Sequence, residues 1–212
     1  MARGASLSQN DIVRTILKIF QTGEPVLRQR ARELTAEQIR SQEIQRLIEW
    51  MRETMYEAPG VGLAAPQVGL PLQLAVIEDK PEYLRDVADA VLKERERKPV
   101  PFRVIINPKI TQQEGEAEFF EGCLSVSGFT AVVPRARSIT VHCLDHKGNP
   151  RTIEARGWYA RILQHEIDHL HGTLYLDRMH SGTFMTLDNY NRHWKEKPVS
   201  EVLKLLSAAR IR

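Results

Sequence analysis

Residues 164–172 read QHEIDHLHG, so His165 and His169 stand four apart with Glu166 directly after the first. On a helix that spacing projects both imidazoles from one face, close enough to share a metal ion. A carboxylate beside them can take a proton from water activated there, so the chemistry on offer is metal-assisted hydrolysis. A single inward histidine is more often a hydrogen-bonded core residue, and H-E-x-x-H also arises by chance. A third ligand has to decide. In the longer pattern H-E-x-x-H-x-x-G-x-x-H, Gly172 holds the glycine position but Tyr175 stands where the last histidine belongs. The stretch FFEGCLSVSG offers Cys123 instead. One cysteine and two histidines leave a coordination position open, the layout of a catalytic rather than a structural site. Cys143, in SITVHCLD, alternates like a strand residue and reads as packing.

A helix from Gly157 to His171, ended by Gly172, has to carry the histidines. At about 100° per residue, Tyr159, Ile162, Leu163, Ile167 and Leu170 form an apolar arc. Arg161, Gln164, Asp168 and His171 collect on the opposite side, which reads as the solvent face. His165 and His169 fall at the edge of the buried arc. An earlier helix starts at Ser41, with Ile44, Leu47, Ile48, Met51 and Met55 at three-and-four spacing, and should stop near Pro59. GVGLAAPQVGLP is too rich in glycine and proline for a helix interior and reads as a shaped loop. RTILKIF is a strand or a short helix, and residues 81–98 are a polar helical excursion. LQLAVIE, FRVIINPKI, AEFFEG, TAVVPRA, SITVHCLD and RTIEAR are strand-like, with a turn at HKGNP. The class is therefore α+β. Mainly antiparallel strands pack around a central metal-binding helix, with an N-terminal helix and a C-terminal helical tail.

The 212 residues suit one domain, placed at 1–188, followed by a basic tail over 189–212. Hydrophobic content of 42% and charged content of 27% are those of an ordinary globular protein. No apolar run approaches the roughly 20 residues of a membrane span. The start, MARGASLSQNDIV, has no apolar signal core, and Asp11 argues against a transit peptide. Two cysteines exclude a disulfide framework and fit a reducing compartment. The net charge of +3 does not by itself imply nucleic acid. From Asn189 onward, six Lys and Arg minus two Glu give +4.

GVGLAAPQVG (60–69), EGCLS (121–125) and QHEIDHLHG (164–172), in that order, resemble the three signature motifs of peptide deformylases. Those enzymes remove the formyl group from the N-terminal methionine of new polypeptides. The resemblance covers roughly residues 12–188. It implies that Cys123, His165 and His169 hold the metal and that Glu166 is the general acid and base. Gln67 and the backbone N–H of Leu124 match the donors to the developing oxyanion. Gly62 matches a backbone contact to the peptide, and Arg135 a residue lining the peptide groove. Val61, Phe119, Trp158, Ile162 and His165 match the walls of an apolar pocket for the first side chain. It further implies Fe²⁺ as the working metal, although one thiolate and two imidazoles also suit Zn²⁺.

Common bacterial members carry an apolar residue where this chain has Arg161. That residue and the 81–98 segment are similar to an organelle-type branch, whereas Leu124 is bacterial-looking. A bacterial cytoplasmic enzyme is expected, with mitochondrion or chloroplast as the alternative. Expected partners are formylmethionyl nascent peptides and, through the basic tail, the ribosome. In the tail, Val202, Leu205, Leu206 and Ala209 share one helical stripe, which also suits docking on the domain or a dimer contact. Monomer and homodimer both remain open. The rival readings are a metal-dependent endopeptidase, which leaves Cys123 and the glycine-rich loop unexplained, and a binding protein with an inert metal site.

Overall fold

Ser41 opens the first long helix: its hydroxyl accepts the Ile44 N–H at 3.3 Å and caps the first turn. The computed structural model describes residues 14–58 and 60–208. Residues 1–13, with the start MARGASLSQNDIV and Asp11, and Pro59, Ala209, Arg210, Ile211 and Arg212 lie outside those residues. In chain order the elements are α1 (Ala36–Arg40), α2 (Gln42–Glu57), β1 (Gly62–Ala64), β2 (Leu74–Asp79), α3 (Asp89–Glu94) and β3 (Val100–Glu114). There follow β4 (Ala117–Cys123), β5 (Val126–Arg135), β6 (Ser138–Leu144), β7 (Pro150–Arg156) and α4 (Gly157–Leu170). Then come β8 (Met185–Thr186), α5 (Leu187–His193) and α6 (Val199–Ala208).

The strands form two antiparallel sheets, one of order β1-β2-β3-β6-β7 and one of order β4-β5-β8. Successive side chains of a strand point to opposite faces. On β2, Leu74 and Val76 therefore pack with Ile44, Met51 and Met55 of α2, while Ala75 and Ile77 pack with Ile162, Leu163 and Ile167 of α4. A strand covered on both sides reads as a continuous apolar run, and LAVI is one. Each such fully buried aliphatic side chain contributes about 1.5–3 kcal/mol.

Three expectations need correction. RTILKIF, residues 14–20, is neither strand nor helix. Its backbone bonds go to α2 and to the turn beside the site instead: Leu17 N–H to Thr54 Oγ1 at 2.9 Å and Phe20 N–H to the Gln67 carbonyl at 2.8 Å. The polar side of α4 is not a solvent face. Arg161, Gln164 and Asp168 are buried, because the β4–β5 hairpin lies over that side and supplies their partners. His171 alone of that group is exposed. On α6, Val202 is fully buried against Phe120 and Val132, whereas Leu205 is turned outward. The inward stripe is Val199, Val202, Leu203 and Leu206.

Candidate active site

Cys123 is the last residue of β4, and His165 and His169 lie one turn apart on α4. One ligand atom from each falls within 4.8 Å of the other two. Cys123 Sγ and His169 Nε2 are 3.3 Å apart. The edge of a tetrahedron with sulfur at about 2.3 Å and nitrogen at about 2.1 Å is about 3.6 Å, so the three donors fit a small divalent cation. Two N–H groups face the sulfur, from Ser125 N at 3.4 Å and Gln67 Nε2 at 3.5 Å, which suits a negatively charged ligand.

Gln67 owes its aim to its own loop. Residues 65–68 make one 3-10 turn, and the Ala64 N–H donates to Gln67 Oε1 at 2.9 Å. That bond turns the amide nitrogen toward Cys123 and Ser125, whose Oγ accepts at 3.2 Å. Gly69 closes the turn at φ +86°, the left-handed region that favours glycine. Glu166 is buried, and its Oε2 has no hydrogen-bond partner among the described residues. Burial pushes its carboxyl up to about 7; His165 and Arg135 oppose that rise and Glu121 adds to it. A Cβ on Gly62 would run into the Glu166 carboxylate, so β1 lies against that group and a side chain there would displace it.

A cavity of about 380 Å³ opens onto these groups. Val61, Gly62, Trp158, Ile162 and His165 line it, together with Gln67, Cys123, Leu124 and Glu166. Two of the expected lining residues stand elsewhere. Phe119 faces a separate groove beside α3, with the Arg95 and Arg161 guanidinium groups 5.5 and 5.2 Å from its ring. Arg135 is 4% exposed and lies behind the cavity wall, paired with Glu121 and Asp168. An arginine that finds two carboxylates in the interior has no reason to point into a groove.

A family model described as polypeptide deformylase matches residues 16–184, with the three motifs assembled around one cavity. The chain belongs to this family. The chloroplastic peptide deformylase 1A of Solanum lycopersicum is 48% identical over 172 residues, which cover 81% of this chain and 62% of that protein. The chain thus spans less than two thirds of that relative. Peptide deformylase 1 of Bifidobacterium longum (strain NCC 2705) is 45% identical over 185 residues, covering 87% of this chain and 82% of that one. The class I type b peptide deformylase from Acinetobacter baumannii, in a crystal structure with Met-Ala-Ser bound, is similar with a TM-score of 0.70 and 30% identity. That match covers 78% of this chain and 99% of that one.

Three side chains beside the site, Glu121, Arg161 and Asp168, have contacts that the reading of the motifs missed. Glu121 accepts from Arg135 through both oxygens at 3.0 Å, from Arg161 at 2.5 Å, and from His165 Nδ1 at 3.1 Å. The last bond leaves His165 Nε2 as the lone-pair nitrogen facing the cation position. Burial alone raises the Glu121 carboxyl. His165 and Arg135 more than cancel this and hold it well below the usual carboxylate range. Arg161 also donates to the carbonyls of Val133 at 3.0 Å and Ala117 at 2.6 Å, tying α4 to both strands of the hairpin. Asp168 continues the chain of charges from Arg135 outward to Arg178, whose Nε and Nη2 lie 2.6 and 2.7 Å away.

Proposed function

We propose that this deformylase removes the N-formyl group from N-terminal formylmethionine of newly made polypeptides, releasing formate. The observation that carries the reading is the buried, unpartnered Glu166 oxygen beside three convergent metal donors at the end of a largely apolar cavity. When bound, a divalent cation supplies Lewis-acid polarisation of water and of the formyl oxygen. Glu166 takes a proton from the attacking water and delivers it to the peptide nitrogen as the C–N bond breaks. Gln67 Nε2 and the Leu124 N–H donate to the oxygen on which negative charge develops; losing one such donor costs roughly 3 kcal/mol. Val61, Trp158 and Ile162 surround the methionine side chain, whose flexible thioether suits such walls, and Gly62 lets the peptide backbone approach.

Fe²⁺ is the proposed working metal, with Zn²⁺ accepted by the same donors at lower rate. The proposed setting is a bacterial cytoplasm, with an organelle as the alternative. Both bacterial and chloroplastic relatives support that pair. The direct test is formate release from formyl-Met-Ala-Ser by protein loaded with Fe²⁺ or Zn²⁺. Glu166→Gln should keep the metal and lose about 10²–10⁴-fold in turnover. Near-normal turnover in that variant removes Glu166 from its role. Cleavage inside an unformylated peptide would make the protein an endopeptidase.

The basic tail is proposed to contact the ribosome, where the substrate emerges. Its exposed Arg192, Lys195 and Lys204 support this. Deleting residues 199–212 should weaken co-sedimentation with ribosomes, and unchanged co-sedimentation rejects the contact.

A further inference from the structure

Gln67 Nε2 and the Leu124 N–H are assigned above to one developing oxyanion, yet they come from different loops. Gln67 lies in the turn after β1, and Leu124 in the turn between β4 and β5. Residues 20–22 join those turns. The Phe20 N–H donates to the Gln67 carbonyl at 2.8 Å, and the Thr22 N–H donates to the Ser125 carbonyl at 2.7 Å. The Phe20 ring lies so close to Gly69 that a Cβ there would run into it. Between these bonds Gln21 turns both ends of its amide to the second loop. Its Nε2 donates to the Leu124 carbonyl at 2.9 Å, and its Oε1 accepts the Ser127 N–H at 3.2 Å.

Gln21 is exposed. Two hydrogen bonds at the surface are largely offset by the rotamer freedom lost in making them, so their contribution to stability is small. Their effect is on position. A peptide unit is planar, so the bond to the Leu124 carbonyl orients the Ser125 N–H on its other side, which donates to Cys123 Sγ at 3.4 Å. The Leu124 N–H belongs to the preceding unit of the same turn and shares an α-carbon with the carbonyl that Gln21 holds. Oxyanion stabilisation depends on donors that wait where charge will develop, and a displacement of about 1 Å can cost up to about 10²-fold. We propose that Gln21 is a positioning residue for the reaction, tying the turn that carries the Leu124 N–H to the segment that grips the Gln67 loop, so that both donors reach one oxygen. This role rests on the deformylase reading above.

Gln21→Met keeps the length of the side chain and removes both bonds, whereas Gln21→Lys keeps a donor for the Leu124 carbonyl. With metal-loaded protein and formyl-Met-Ala-Ser, Gln21→Met should lower kcat about ten-fold and move KM less than about two-fold. Gln21→Lys should recover most of that loss. Ile16→Ser, at an exposed site on the same segment, should leave kcat unchanged. Metal content and Tm should match the unaltered protein in every variant. Amide hydrogen exchange, read without substrate, should quicken over residues 124–127 in Gln21→Met. An unchanged kcat in that variant overturns the proposal, as does unchanged exchange over 124–127. A rise in KM at constant kcat makes Gln21 a substrate contact and overturns it too. So does a loss that tracks bound metal or Tm, or a Gln21→Lys protein as slow as Gln21→Met. If the unaltered protein releases no formate, the deformylase reading falls and this role with it.

Discussion

Arg161 carries a full charge into the interior at 3% exposure, and every contact it makes explains why the fold keeps it. It donates to one oxygen of Glu121, which Arg135 also reaches, and to two strand carbonyls, so removing it takes away three buried hydrogen bonds at once. Arg161→Met should lower the unfolding free energy by about 3–5 kcal/mol, the usual cost of breaking a buried ion pair from one side. Arg161→Lys should recover only part of that loss, because an ammonium cannot span the same three acceptors as a planar fork. Denaturant unfolding of the three proteins decides it, and equal stability of the Met variant would show that Arg135 alone supports Glu121. The consequence for chemistry runs through His165, which relies on the same carboxylate for its orientation.

At the scale of elements, the β6–β7 turn is closed by one carboxylate. Asp145 Oδ1 accepts the N–H groups of Lys147 at 2.9 Å and Asn149 at 3.0 Å, and Oδ2 accepts from Arg151 Nε at 3.0 Å. Partial burial raises its pKa, but these donors outweigh it and hold the group at about 2. In the unfolded chain the same group titrates near 3.9. A depressed folded pKa adds stability that is complete above the unfolded value and disappears as pH falls through the folded one. The window therefore runs from roughly pH 4 down to about 2. Allowing for solvent screening, Asp145→Asn should remove on the order of 1 kcal/mol of that pH dependence, read as urea midpoints across the window. Identical slopes for the two proteins would discard the turn as its source.

The same scale shows what a sequence can and cannot convey. The turn at HKGNP, the cap at Ser41, the apolar run of β2 and the helix from Gly157 were all legible, because local periodicity and turn chemistry fix them. So was the convergence of Cys123, His165 and His169, since side chains able to hold a metal are confined to a few residue types. What failed depended on the neighbour. On α4, Arg161 precedes His165 by four residues, a step of only about 40° around the helix, so it shares the histidine side. Nothing local reveals that a hairpin covers that side. Arg135 was misplaced for the same reason, and RTILKIF looked regular although its hydrogen bonds go to a side chain of α2 and to the turn that holds Gln67.

For the molecule as a whole, the described part of the tail packs on the domain. Phe120 of β4, the strand that ends in Cys123, packs with Val132 and Val202, and its ring lies 4.7 Å from that of Tyr190. Deleting residues 199–212 uncovers that cluster, and losing about 2 kcal/mol of burial should lower Tm by about 4–8 °C. Any loss of ribosome co-sedimentation has to be read against this fall, so the deletion belongs beside a variant that changes only Lys204, an exposed charge on α6. The candidate metal ligands come from two pieces of chain, Cys123 from the hairpin and His169 from α4, 46 residues apart. A cation held by both therefore acts as a removable cross-link. It raises the unfolding free energy by RT ln(1 + [M]/Kd), about 2.7 kcal/mol at a hundredfold excess over Kd. Melting Glu166→Gln protein against rising Fe²⁺ or Zn²⁺ should give midpoints that climb with the logarithm of free metal, and Cys123→Ala should flatten the climb. Each cation then acquires a rank measured with no substrate present, and the metal supply of the surrounding compartment becomes a determinant of how long this chain stays folded.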